Sequence, residues 1–342
     1  MKKESNTLEQ PKGKNLKATL AKLNKGLSEG DMFKLASEQP EDYFKIHYLS
    51  TGSPYFDYKL QTEDFGGVPI GRTTIVVGTE GSGKTSFALM VGAIMQKTTG
   101  KYLVYFDGER TVSESYIDRL GIDRSLFLHY KDNNLERMLD AAQEFSVTEG
   151  IGMIVIDSLP MFTSTVVEEK AAEQNTIGIE ARKYNTKMPI IGGNCSRYNI
   201  ALLCINQYRK DPGSMGDPRV MPRGEWQKFH SSLTIDLTKK DLIFDKEKRL
   251  IGNAIDVRIK KSKLEAFDKK EFTVNFYYDY GFDRFDDGTA LLIETGIIDQ
   301  AGSWFVLPND EKIQGQANVA DFFRSNEEYM EELLKTVIKE KE

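Results

Sequence analysis

Apolar residues fall along this chain in two alternating rhythms. From Thr73 to about Tyr280, short apolar or β-branched runs alternate with stretches of helical spacing. TTIVVG (73–78) precedes SFALMVGAIMQ, and KYLVYFD (101–107) precedes a polar, mostly helical stretch. MIVID (153–157) and IALLCINQ (200–207) are nearly continuous apolar runs, the mark of strands buried on both faces. Such β–α alternation predicts a mostly parallel, twisted sheet with right-handed crossovers. SLTIDLTKK, IDVRIKKSK and EFTVNFYYD then follow with short connections, which predicts antiparallel strands added to that sheet.

Both ends of the chain read differently. Residues 1–14 are polar, and Leu16, Leu20, Leu23 and Leu27 then recur at helical spacing with lysines between them. That helix packs on its own domain or docks on a neighbouring subunit, and the pattern leaves both open. From about 281 come the apolar run ALLIETGII, a turn, and helices near 317–325 and 326–339. The expected organisation is an N-terminal helical segment (1–45), an α/β core (46–280) and a small α+β domain (281–342).

Composition removes several classes. Hydrophobic residues make up 39% of the 342 residues, enough to rule out global disorder. A net charge of −6, from 46 basic and 52 acidic residues, argues against a uniformly basic nucleic-acid coat but leaves room for a local basic channel. Two cysteines (Cys195, Cys204) and three scattered histidines exclude a disulfide framework and a zinc cluster. The basic start lacks the apolar run of a signal peptide, and no run approaches 18 apolar residues. The expectation is a soluble, cytoplasmic protein without membrane association.

One motif carries most of the chemistry. Gly78-Thr79-Glu80-Gly81-Ser82-Gly83-Lys84-Thr85 satisfies GxxxxGK[ST] between a predicted strand and a predicted helix. Glycines let successive N–H groups aim at phosphate oxygens, and the helix N-terminus adds its positive end. Lys84 is placed to reach the β- and γ-phosphates, with the Thr85 hydroxyl on Mg²⁺ and Ser86 beside it. Asp157, at the end of MIVID, is the expected second Mg²⁺ anchor, although it or Ser158 could also cap a helix. Hydrolysis needs a group that orients water, and Glu109 follows the strand YLVYFD at the sheet edge where ligands bind. Gln207, at the end of IALLCINQ, is a candidate γ-phosphate sensor or a loop-satisfying amide.

These segments together resemble the RecA-family recombinases, the group of bacterial RecA and phage UvsX-type proteins. GTEGSGKT resembles the family's phosphate loop, YFDGER its glutamate segment, MIVIDS its Mg²⁺ strand, LLCINQYR its sensor strand and IKKSK its paired-lysine strand. AGSWFVLPNDEKIQGQANVADFF resembles its C-terminal domain. The resemblance, from about Ile46 to about Lys335, implies a RecA-like ATPase core. It also implies roles: Glu109 as catalytic base, Tyr116 stacking on adenine, and Gln207 coupling γ-phosphate to a DNA loop. Lys261 and Lys263 would reach the nucleotide of the adjacent subunit, as arginine fingers do. Ser113 stands where the bacterial members usually carry an aspartate.

Two segments resemble the family's DNA loops: Val167–Ile177, and the Gly/Pro-rich stretch from Tyr208 to about Phe229. Loops of the second one's length inside a domain are usually functional or disordered. It carries Arg209, Lys210, Arg219, Arg223 and Lys228, and Arg182 follows the first loop. Basic side chains spaced along such a loop suit phosphate tracking without sequence readout. Trp226 either stacks on bases or anchors the loop's return in the core.

The resemblance implies a DNA-dependent ATPase with ATP and Mg²⁺ as cofactors. It would form filaments of its own copies on single-stranded DNA, pair them with homologous duplex and exchange strands, with single-strand-binding or loader proteins as candidate partners. Two other readings share the phosphate loop. One is a hexameric helicase, for which the first 45 residues are a short N-terminal domain; the other is a mediator that binds ATP without exchanging strands.

Overall fold

The computed structural model describes residues 14–27, 32–41, 43–60, 66–165, 178–210, 219–264 and 271–339. Two compact units divide the chain at Ile46/His47. The first contains the helix Leu16–Asn24, which starts where the Asn15 side chain accepts from the Ala18 N–H at 3.2 Å. None of its residues is buried, and Leu16 is 63% exposed. The leucine periodicity therefore gave the helix correctly, three residues longer than it is.

The second unit is built on a nine-stranded sheet. Its small leading strands are β1 (Tyr48–Leu49) and β2 (Val68–Pro69), which pair with each other. The sheet itself comprises β3 (Thr73–Gly78), β4 (Tyr102–Asp107), β5 (Phe127–Tyr130), β6 (Ile151–Asp157) and β7 (Ala201–Gln207). After the short ladder of β8 (Arg209–Lys210) with β9 (Arg219–Val220), it continues with β10 (Leu233–Phe244), β11 (Leu250–Ser262), β12 (Glu271–Tyr277) and β13 (Gly281–Phe282). The order is β13-β12-β11-β10-β3-β7-β6-β4-β5. Strands β10 to β5 along that order are parallel, and β11, β12 and β13 extend it antiparallel. This is the predicted architecture.

Period-two alternation fills both faces. Val76, Val155 and Leu203 join the core around the helix Lys84–Thr99. Their neighbours Ile75, Ile154 and Leu202 point into a second core with the helices Leu135–Phe145 and Ile179–Arg197. A strand that must be apolar on both faces shows no alternation in sequence, which is why MIVID reads as one block. The helix Lys84–Thr99 stops at Gly100, whose φ of 66° suits glycine and whose N–H donates to the Gln96 carbonyl at 2.8 Å. Edge strand β5, with an intermediate–exposed–exposed–intermediate pattern, lay hidden in the stretch expected to be mostly helical.

A third core lies toward the C-terminus. Leu291, Leu292, Val319, Phe323 and Met330 of the helices Arg284–Glu294, Gln316–Ser325 and Glu327–Lys339 pack together with Phe305. With them goes the antiparallel ladder of β14 (Asp299–Ala301), β15 (Trp304–Val306) and β16 (Lys312–Gln314). The run expected only as apolar is mostly helix Arg284–Glu294, started by Asp283, which accepts from the Phe285 and Asp286 N–H groups.

Asp287 in that helix is buried, and its Oδ2 lacks a hydrogen-bond partner among the described residues. Burial, and then the nearby Asp286, Asp283 and Asp57, push its carboxyl up to about 8, against a pull downward from the Ser53 hydroxyl. Its folded-state pKa exceeds the unfolded value, so its contribution is fully present at low pH and is lost as pH rises toward 8. Asp287→Asn removes that loss. Thermal melts should show the variant gaining on the parent between pH 5 and pH 8, at up to about 1.4 kcal/mol per pH unit, and gaining nothing further above. A pH-independent gap would remove Asp287 as the titrating group.

Candidate functional site

Parallel register brings four strand ends to one edge. Gly78 of β3 pairs with Gln207 of β7, and Asp107 of β4 pairs with Asp157 of β6. Beyond these ends lies a cavity of about 330 Å³ lined by Glu80 to Ser86, Glu109, Thr111, Tyr116, Asp157, Gln207, Phe276 and Tyr278. Gly81 and Gly83 take φ of 69° and 80° there, a conformation that glycine adopts without strain.

Gly78 is required for a different reason. A Cβ on it would lie 2.0 Å from the Leu237 carbonyl oxygen of β10, which also accepts from the Thr79 N–H at 3.3 Å. Gly78→Ala must push β3 and β10 apart at the loop. We expect a loss of about 2–3 kcal/mol in denaturant unfolding together with loss of nucleotide binding; a variant of parental stability that binds nucleotide would contradict the close approach.

Lys84 is buried beneath the loop. Its Nζ donates to the Thr79 carbonyl at 2.6 Å and faces that of Gly78 at 3.4 Å. Burial pushes its pKa down, while Asp157, Glu109, Glu80 and Asp236 pull it back up. Asp157 Oδ2 accepts from the Thr85 hydroxyl and the Tyr105 hydroxyl, both at 2.6 Å. Its Oδ1 is buried with no hydrogen-bond partner among the described residues. Burial, and then the nearby Glu109 and Asp107, push Asp157 up to about 6 despite those two bonds. A magnesium ion fits here: a hydroxyl and one carboxylate are the usual protein share of a site completed by phosphate oxygens. Among the described residues, no group of three or more His, Cys, Asp or Glu side chains could hold a metal unaided.

Glu109 sits at the meeting point of two strands' ends. Its Oε1 accepts from the Gln207 amide at 2.5 Å and from the Ser158 hydroxyl at 2.7 Å. The loop carrying it is braced by buried Asp107, which accepts from the N–H groups of Thr111 and Val112 and pairs with His129 Nε2 at 3.1 Å. Tyr116 lines the cavity, makes a hydroxyl contact with Ser86 and carries the Arg119 guanidinium 5.7 Å from its ring centre. Sequence reasoning missed Tyr105, Ser158, Thr111, Phe276 and Tyr278. Ser158 was adjacent to a flagged aspartate and read only as a cap. Phe276 and Tyr278 come from β12 and its end, far along the chain, and carried no local signal.

Lys261 and Lys263 do not line this cavity. Their Nζ atoms donate to the backbone carbonyls of Lys228 and Phe229, both within the short helix Trp226–His230 that closes the second loop. That loop's stems are fastened inside the fold. Asn206 donates to the Pro222 carbonyl at 3.0 Å and to the Gln227 side chain at 2.7 Å.

Trp226 is 3% exposed, belongs to the second core and donates from Nε1 to the Arg223 carbonyl. It is the core anchor of the two roles considered, not a stacking residue. Arg223, expected as a DNA contact, has internal partners in this structure. Its side chain is mostly covered, pairs with Glu180 and donates to the Pro160 carbonyl at 2.6 Å, so its charge is used within the fold. Arg182, Arg209 and Lys228 are exposed, and Lys210 and Arg219 are backbone register partners. The first loop, Val167–Ile177, and residues 211–218 of the second lie outside the described residues.

A glycine loop between strand and helix, a lysine beneath it, and an acid on a parallel strand two places along the sheet define a phosphate-loop protein of the ATPase type. The model of the RecA N-terminal domain matches residues 14–283, and that of the RecA C-terminal domain matches 290–342. The chain belongs to the RecA family of recombinases, a family that binds ATP and DNA. Among the described residues, no helix is long and apolar enough to cross a membrane.

Proposed function

We propose that this protein is an ATP-dependent DNA recombinase that assembles as a helical filament on single-stranded DNA, pairs it with homologous duplex and exchanges strands. ATP lies between neighbouring copies. The observation that carries the reading is the position of Glu109, hydrogen-bonded at once to the end of the Mg²⁺ strand through Ser158 and to the start of the second loop through Gln207.

In this mechanism the loop N–H groups and Lys84 hold the phosphates. Thr85 and Asp157 would hold Mg²⁺, which would supply positive charge against the charge developing on the phosphates. Tyr116 takes one face of the base, and Tyr278 borders the same cavity. Glu109 orients the attacking water and accepts its proton. A γ-phosphate competes with Glu109 for the Gln207 amide, so the start of the second loop responds to whether the phosphate is present. Lys261 and Lys263, absent from the cavity of their own chain, act on the nucleotide of the adjacent copy. Arg182, Arg209, Lys210, Arg219 and Lys228 track DNA phosphates.

Electron microscopy with ATP, Mg²⁺ and single-stranded DNA, joined to a strand-exchange assay, tests this. Helical filaments and exchanged product are expected. Closed rings would favour a helicase instead, and filaments without exchange a mediator. Oligonucleotide affinity should also fall steeply with salt, because phosphate contacts release counterions.

A further inference from the structure

At the return stem of the second loop, Arg223 ties three segments together. It sits at φ 75°, a conformation uncommon for a residue with a side chain. Its side chain is 13% exposed and that of Glu180 15%. Glu180 lies in the first turn of the helix Ile179–Arg197, where the chain returns from the first DNA loop. Glu180 Oε1 also accepts from the N–H of Ser164, at 3.3 Å, where the chain departs toward that loop. A second guanidinium nitrogen, Nη2, donates to the carbonyl of Pro160, two residues past Ser158, the partner of Glu109, while the buried Nε has no hydrogen-bond partner among the described residues.

The network extends one shell outward. Ser164 Oγ donates to Glu136 at 2.6 Å, and Lys183 Nζ pairs with the same carboxylate. Both stems of the first loop, the return stem of the second and the segment after the Mg²⁺ strand thus meet around one guanidinium. A planar cation with fixed donor directions can hold such a junction in one arrangement, whereas a lysine could not.

We infer that the Arg223–Glu180 pair is an interlock: Arg223 acts as a positioning residue that makes the two DNA loops respond together to the nucleotide, and it does not itself bind DNA phosphate. The inference rests on the proposed function and names the coupling within it.

The test measures affinity for a fluorescein-labelled oligo-dT, with ATPγS and with ADP, for the parent, Arg223→Gln, Glu180→Gln and the double variant. With an interlock, each single variant lowers the ATPγS-to-ADP affinity ratio by about tenfold, within the usual range of coupling between sites. The double variant loses no more than either single one, because the two residues act as a unit. The salt dependence of binding stays at the parental slope.

If Arg223 were a phosphate contact, Glu180→Gln would free it and tighten binding. Arg223→Gln would then weaken binding with both nucleotides and flatten the salt slope by about 0.7. That result, or an unchanged ratio in every variant, overturns the interlock. Should Arg223→Gln not fold, the sign of the Glu180→Gln effect decides alone. A parental ratio of one would refute the proposed function and the interlock with it; a high parental ratio that all variants keep refutes the interlock alone.

Discussion

Lys84→Ala should abolish hydrolysis and weaken ATP binding by about a hundredfold or more. The lysine is buried, and its ammonium rests on the Thr79 and Gly78 carbonyls at the floor of the loop. Phosphate oxygens brought into the cavity can take over that ammonium at little structural expense. Alanine leaves an anionic ligand facing Asp157, Glu109 and Glu80 with no countercharge; at low effective dielectric, each unscreened pair costs several kcal/mol. Titration with a fluorescent ATP analogue and a phosphate-release assay measure the two effects. Turnover within tenfold of the parent would take Lys84 out of the phosphate site. Thermal unfolding is the control, since removing a buried cation is expected to leave the sheet intact.

Glu109→Gln should stop turnover while sparing both ligands. An amide retains an oxygen to accept from Ser158 and Gln207, so the geometry of the two strand ends persists. It cannot accept a proton from water, and loss of a positioned base costs roughly 10²–10⁴ in rate. ATP and oligonucleotide affinities should remain within a few fold of the parent, and protein–DNA assemblies formed with ATP should persist for as long as the nucleotide lasts. Rapid turnover in this variant would remove Glu109 from the base role. Glu109→Ala makes an informative companion: it loses the acceptor as well, leaves the Gln207 amide free, and should therefore disturb nucleotide-dependent DNA binding where glutamine does not.

Local patterns carried most of the fold. Strands β3, β4, β6 and β7 were legible because a parallel strand covered by helices must be apolar along its length. β5 was not, because an edge strand half open to solvent tolerates a polar pattern such as Leu128–His129–Tyr130. The run 290–298 begins inside the helix Arg284–Glu294 rather than forming an undefined apolar block, and that helix starts at the Asp283 cap. Among candidate site residues, those on the loop 78–86, with Glu109, Tyr116, Asp157 and Gln207, meet around the cavity or beneath it. Arg223 and Trp226, read from loop composition alone, are packed inside. Net loop charge says nothing about which arginine has an internal partner.

By itself the sequence determined the parallel core, the phosphate loop and the acids at the strand ends. Each of these follows from short-range rules: burial on both faces, glycine where backbone must approach phosphate, and polar residues where a buried strand stops. Only the tertiary structure decided who meets whom. The Glu109–Gln207 and Thr85–Asp157 contacts join residues 98 and 72 positions apart. The Arg223–Glu180 pair and the docking of Lys261 and Lys263 depend likewise on register and helix placement. Such contacts are set by the packing of the whole sheet, and no local spacing encodes them.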